Sequence, residues 1–263
     1  MNGTNPRRDG CISQVKAKEA SIMRDFEKEH LDNDLRSYAY DFDSVIRRYM
    51  MRSLSPFFTS GKALELGCFE GDSTKLFSEQ FDDLTVVEAA KSLIDVAKSK
   101  VSTKVNFVQA TIETAEFEPV YDSIFLVHTL EHLDDPVTAL SRIRSWLSPR
   151  GRLFLVVPNA DAPSRQIAVK MGLIDANNSV TPGERIHGHR CTYSFDTLER
   201  DARSAGLNVE ARGGIFFKPF ANFQFDMLVK SKIIDQAYLD GCYALGMQYP
   251  ELTASIYLVC TNG

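Results

Sequence analysis

Apolar residues early in the chain recur at helical spacing. Ile12, Val15, Ile22, Met23 and Phe26 fall three, four and seven apart, which predicts an amphipathic helix after a frayed tail over 1–11. A second helix is predicted over Tyr40–Leu54, ending before Ser55-Pro56. From Lys62 the pattern changes. Lys62-Ala-Leu-Glu-Leu-Gly67 reads as a short strand stopped by glycine, and Asp72 or Ser73 can cap the helix that follows, which runs to about Gln80. Leu84–Glu88, Val105–Val108, Tyr121–Val127 and Arg152–Val157 read as further strands, with a helix over Leu93–Lys100. Asp135-Pro136 opens another helix, with Val137, Leu140, Ile143 and Leu147 on one face, and Ser148-Pro-Arg-Gly151 reads as a turn.

Near-continuous apolar strands alternating with helices predict an α/β fold, a parallel sheet covered on both faces. Such sheets bind ligands at the carboxyl ends of their strands, where the strand order switches. After Pro158 the rhythm is irregular until a helix over Ser194–Ala205, stopped by Gly206. Strands are predicted near Leu207–Ala211 and Ala254–Cys260. The aromatic-rich stretch Phe216–Pro250 between them reads as two helical pieces.

Composition narrows the class. The chain has 263 residues, 44% of them hydrophobic, enough to bury a full core without disulfides or metals. No apolar run is long enough to span a bilayer. The opening MNGTNPRRDGCIS carries no apolar signal core, so a cytoplasmic chain is expected. The five cysteines are odd in number and include no C-x-x-C, which favours reduced thiols over a disulfide framework. A net charge of -5 disfavours a nucleic-acid partner.

The chemistry is expected in the loops after the strands. Gly67-Cys-Phe-Glu-Gly71 lets the backbone approach a ligand closely. Glu88 ends the second strand, where a carboxylate can accept both hydroxyl hydrogens of a ribose. A dinucleotide fingerprint would read G-x-G-x-x-G; this loop is G-x-x-x-G. It also carries Glu65 two residues before its first glycine. A pyrophosphate would be repelled there, and an amino group or sulfonium attracted.

Four motifs in order, E-L-G-C-x-x-G, V-V-E-A, Y-D-S-I-F-L-V-H-T-L-E-H-L-D-D-P and L-S-P-R-G-R-L-F-L-V-V-P-N, resemble the class I S-adenosylmethionine-dependent methyltransferases. The small-molecule branch is the most similar, with its ubiquinone-type O-methyltransferases and sugar N- and O-methyltransferases. The resemblance covers about residues 61–160 strongly and Ser194–Cys260 loosely. It implies a Rossmann-like sheet of seven strands, one antiparallel. It also implies a tail and helical cap over 1–60, and a core over 61–263 with acceptor-side insertions at about 159–193 and 216–250. S-adenosyl-L-methionine would be the cofactor and S-adenosyl-L-homocysteine its product. Glu65, Gly67, Cys68 and Gly71 would hold the methionine part, Glu88 the ribose, and Ala89, Thr111 and Ile112 would border the adenine. His128 would lie near the transferred methyl. Phe69 stands where the family usually has its middle glycine, and the aspartate often seen near Thr111 is missing.

Four of the five histidines fall in two clusters, His128/His132 and His187/His189, both at the expected active face. A histidine can take the proton released as methyl transfers, and His132 or His189 is favoured for that role. His30 reads as a surface residue. His128-Thr-Leu-Glu-His132 also matches H-x-x-E-H, which binds zinc only when both histidines share a helix face. It begins at a strand end, so no metal is expected. Arg185 and Arg190 favour an acceptor carrying a carboxylate or phosphate, unless they belong to a polar surface loop. Tyr38, Tyr40 and Tyr49 read as closing over the cofactor or as packing of the cap. The aromatic run Phe216–Phe225 reads as a lid or as a homodimer interface. The expected function is methyl transfer to oxygen or nitrogen of a small polar molecule, oxygen favoured. The rivals are a non-catalytic nucleoside-cofactor binder and an NAD-dependent enzyme.

Overall fold

The computed structural model describes residues 26–27, 41–101 and 105–263. Most of the helix expected over Ile12–Phe26 lies outside these residues, as do Cys11, His30, Tyr38 and Tyr40. Helix α1 (Asp41–Leu54) leads into β1 (Lys62–Leu66), α2 (Asp72–Ser78), β2 (Asp83–Glu88), α3 (Lys91–Lys100), β3 (Asn106–Gln109) and β4 (Tyr121–Val127). Then come α4 (Pro136–Arg144), β5 (Leu147–Pro158), α5 (Pro163–Lys170), α6 (Pro182–Ile186) and α7 (Phe195–Ser204). The chain closes with β6 (Leu207–Phe217), α8 (Asn222–Lys230), α9 (Gln236–Gln248) and β7 (Thr253–Asn262).

The seven strands form one sheet in the order β3-β2-β1-β4-β5-β7-β6. Strands β1 to β5 pair in parallel, and β7 runs antiparallel to both its neighbours, β5 and β6. The seven-strand sheet with one reversed strand agrees with the Rossmann-like expectation. Its order reverses between β1 and β4, so the loops after these two strands diverge around a crevice.

Period-two alternation sorts the strands' side chains onto two cores. Leu64, Leu66, Ile124, Leu126, Leu153 and Leu155 face α4 and α7. Ala63, Val86, Phe125, Phe154 and Val259 face α1, α2 and α9. In the second core, Phe125 stacks between Phe77 and Phe154, with ring centroids 4.1 and 4.9 Å away. All three rings are fully buried, each worth roughly 2–3 kcal/mol of transfer free energy.

Three local expectations are corrected. Leu147 belongs to β5 rather than to the face of α4, and Ser148–Gly151 is part of that strand. Pairing to β4 slips between Tyr121 and Ser123, which absorbs the polar residues as an irregularity. Neither Asp72 nor Ser73 caps α2: its N-cap is Gly71, at φ 83°, without a side-chain bond, and the helix ends at Ser78. Elsewhere the caps are as expected. Asp135 accepts from Thr138 N, Ser194 forms a capping box with Thr197, and Gly206 follows α7 at φ 79°.

The cap and the late insertion pack as one layer. Phe42 of α1 stacks on Phe225 of α8 at 4.1 Å, and Phe42 N donates to Asp226 Oδ1 at 2.8 Å. Tyr49 stacks on Tyr243 of α9 at 4.9 Å and donates its hydroxyl to Asp240. Tyr49 is therefore buried packing of the cap. In the aromatic run Phe216 and Phe225 are fully buried, while Phe220 and Phe223 are exposed.

Candidate active site

The loops after β1, β2 and β4 meet at the carboxyl end of the sheet, beside the order reversal. Gly67 N donates to Val87 O at 2.8 Å, and Gly67 takes φ 77°. A Cβ there would lie 2.7 Å from Thr129 Oγ1. That hydroxyl donates to Leu66 O and Val127 O, so the β4 loop closes directly over the β1 loop. Gly71 is needed for another contact, because a Cβ there would meet Ala97 of α3 at 2.6 Å. Phe69 takes φ 49°, so the left-handed turn survives without its glycine.

Two carboxylates flank this loop, and their surroundings differ. Glu88 Oε2 accepts from Cys68 N and Phe69 N, both at 3.1 Å. Its Oε1 accepts from Ala89 N at 2.8 Å and Ala90 N at 3.1 Å. Burial outweighs these four donors and holds the carboxyl above its usual range. Glu88 thus ties the glycine loop to the end of β2. Glu65 is 1% exposed, and among the described residues its Oε2 has no hydrogen-bond partner. Burial pushes it up to about 8, with Glu88 adding repulsion while the Thr74 hydroxyl and Arg47 oppose the shift. A buried carboxylate with an unsatisfied oxygen fits a ligand that brings positive charge and N–H donors.

The other nominated cofactor residues take distinct places. Cys68 is buried, and desolvation raises its thiol far above the ordinary value, so it is inert. Thr111 opens a turn in which its N donates to Thr114 Oγ1 at 3.0 Å. Ile112 is buried in the core cluster with Leu64, Leu66 and Val87.

His128 is the meeting point of the site. It follows β4 at φ 49°, a strained value for a non-glycine residue, and its N donates to Val156 O at 2.8 Å. Its Nε2 lies 3.0 Å from Ser255 Oγ of β7. The side chain is exposed to solvent although many protein atoms lie around it. Desolvation, together with the positive fields of Arg47, His189 and Lys218, holds the imidazole well below its usual value.

Lys218 was not nominated from sequence. It follows β6, and its Nζ donates to Asn222 Oδ1 at 2.6 Å. Burial pulls the ammonium down to about 8, against the pull of Asp43 and Glu184. The available signal was a cation inside the aromatic run Phe216-Phe-Lys-Pro-Phe220. Arg47 of α1, also missed, pairs with Asp72 at 3.7 Å, and its charge is felt at both Glu65 and His128.

The two histidine clusters of the sequence converge in part. His132 and His189 lie edge to face with centroids 4.6 Å apart. Between β4 and α4, Leu130–His132 forms a single 3-10 turn, so H-x-x-E-H does not lie on one helix. His189 is brought in by backbone bonds: its own N donates to Glu184 O, and Arg190 N donates to Glu131 O at 2.7 Å. His187 follows α6, its N donating to Gly183 O at 3.1 Å. Arg185 bonds Val180 O within its own loop, and Arg190 pairs with Asp134 at the surface. Arg165 of α5 turns inward and bonds Glu184 Oε1 at 2.6 Å.

Comparisons with known proteins agree with this layout. A family described as a methyltransferase domain matches residues 38–212. The malonyl-[acyl-carrier protein] O-methyltransferase of Halalkalibacterium halodurans is 32% identical over 166 residues, covering 52% of this chain and 61% of its own length. The ubiquinone biosynthesis O-methyltransferase of Aeromonas salmonicida is 25% identical over 183 residues, covering 68% of this chain and 74% of its own. The fold matches that of a SAM-dependent methyltransferase from Thermotoga maritima with a TM-score of 0.59, at 15% identity, over 90% of this chain and 99% of that one. The family match spans more than half of the chain and includes the glycine loop, Glu65, Glu88 and His128, so this chain belongs to the S-adenosylmethionine-dependent methyltransferases, with S-adenosylmethionine as its cofactor.

Proposed function

We propose that the enzyme methylates an acidic oxygen, a carboxylate or a phenol-like hydroxyl, on a small polar acceptor. The observation that carries this reading is geometric: His128, at the end of β4, lies with its Nε2 3.0 Å from Ser255 Oγ, and the charges of Arg47 and Lys218 are felt at its ring. The two relatives named O-methyltransferases support oxygen over nitrogen.

S-adenosylmethionine supplies the electrophilic methyl group. In this reading Glu65 would hold positive charge on the cofactor, and Glu88 would hold its ribose while fixing the loop. His128 Nε2 and Ser255 Oγ share a hydrogen bond at 3.0 Å; in the tautomer that protonates Nε2, Nδ1 is left to accept the hydrogen bond of an acceptor hydroxyl. Lys218 and Arg47 favour the deprotonated oxygen, which is the better nucleophile. The joined α1, α8 and α9 layer screens the cleft from water and fixes the approach line.

The test is a panel of phenols, carboxylic acids and amines of similar size, read by S-adenosylhomocysteine release. Turnover confined to the acidic oxygens is expected. Turnover of amines alone would overturn the reading.

A further inference from the structure

Near His128, whose ring feels the charge of His189, lies a second group of polar side chains. Glu131 sits in the turn after β4, 1% exposed. Among the described residues neither of its carboxylate oxygens has a hydrogen-bond partner. A buried carboxylate with both oxygens unsatisfied is rare, because the desolvation penalty goes uncompensated. The ligand atoms of Glu131, His132 and His189 all lie within 4.8 Å of one another.

From this geometry we propose that Glu131, His132 and His189 form a binding site for one divalent transition-metal ion. The donor set is one carboxylate and two imidazoles. That set suits borderline cations such as zinc, cobalt or iron(II), and not magnesium or calcium, which prefer all-oxygen shells. Three protein ligands leave open positions for water or a ligand oxygen. The site differs from the helical zinc motif that H-x-x-E-H suggests. It uses only the last two residues of that run, and the third ligand comes from a segment 57 residues later.

The supporting structure is in place. The backbone bond from Arg190 N to Glu131 O fixes the two ligand segments together at 2.7 Å. Helix α6, which precedes His189, is held by a capping box between Thr181 and Glu184, and Arg165 bonds that same Glu184. Second contacts of this kind orient metal ligands. The charge of His189 is felt at His128, so an ion here would act on the same region, where it would bind an acceptor oxygen and lower its proton affinity. Metal binding itself stands apart from the proposed function; only this role rests on it.

Cobalt(II) is the probe, titrated into the full chain after chelator treatment and dialysis and followed by its visible absorption. One equivalent is expected to bind, with ligand-field bands, and zinc is expected to displace it. Glu131→Gln and His189→Asn are each expected to weaken cobalt binding at least about 10-fold. Each variant is checked by its thermal shift with S-adenosylhomocysteine. A variant that keeps that shift but loses cobalt supports the site. His189, on a half-buried loop, keeps the test valid if the Glu131 variant fails to fold. No saturable cobalt binding by the wild-type chain overturns the proposal, and so does binding that His189→Asn leaves unchanged. Glu131 would then be a neutral acid packed against two rings. Absence of any S-adenosylhomocysteine shift in the wild type would instead challenge the assignment of the cofactor site.

Discussion

The two halves of the cleft hold ionisable groups of opposite kind, acids in one and bases in the other. On the β1–β2 side, Glu65 and Glu88 are buried carboxylates whose burial disfavours their charged forms. On the β4–β6 side, His128 and Lys218 are bases whose surroundings disfavour their cationic forms. Each half therefore carries an electrostatic cost that a ligand of the opposite sign relieves. A cationic cofactor suits the first half and an anionic acceptor the second. Arg47 stands between them, stabilising the charged form of Glu65 and destabilising that of His128.

The largest effect that tests this contrast is expected at Glu65. Glu65→Gln should weaken S-adenosylmethionine binding by roughly 100-fold or more, read by calorimetry, since a buried charge partner is lost. The same change should stabilise the ligand-free protein at pH 8. The folded pKa of Glu65, about 8, lies above its ordinary value of 4.5. Its contribution to stability is full below the unfolded value and lost as pH rises through 8. Removing the charge should therefore raise Tm at pH 8, and a Tm unchanged or lowered there would show that Glu65 is already satisfied.

His128→Ala comes next, with kcat falling about 100- to 1000-fold while S-adenosylhomocysteine affinity changes less than about twofold. A matching loss of cofactor affinity would place His128 in the other half. Lys218→Met should lower kcat/KM for anionic acceptors about 10-fold or more, with little change for neutral ones, and Lys218→Arg should recover part of it. In the wild type the same preference should fade as pH rises through about 8, where the ammonium loses its proton. The smallest expected effect is at Phe69. Phe69→Gly relieves a left-handed non-glycine residue and should leave stability within about 1 kcal/mol in chemical denaturation, with cofactor affinity kept. A large loss of affinity there would mean that the ring itself contacts the ligand.

The same division explains what the sequence revealed. The cofactor side is built from three consecutive strand–loop units, so its residues lie at regular, local spacings. Its strands, its loop glycines and both carboxylates could be read directly. The other side gathers α1, the turn after β4, the segment 184–190, Lys218 and β7, and no spacing rule links them. Glu131 was in view as part of a motif, yet its burial and its distance to His189 exist only in three dimensions. Strand β6 also outran its expected end at Ala211. A Cβ on Gly213 would come within 2.5 Å of Tyr257 Oη and one on Gly214 within 2.3 Å of Thr253 Oγ1. There the glycines continue the sheet by making room for β7.

The joining of α1 to α8 and α9 has a consequence for the order of folding. Phe42 finds Asp226, 184 residues later, and Tyr49 finds Asp240, 191 residues later. Strands β1, β2 and β3, by contrast, pair in parallel across about 20 residues, and β1 with β4 across about 60. Loop-closure entropy makes distant contacts slow to form. The glycine loop can therefore take shape while the chain is still emerging, with Phe42, Tyr49 and Met50 waiting uncovered. Those side chains are apolar surface exposed until the last helices arrive, and their burial against α8 and α9 completes the second core.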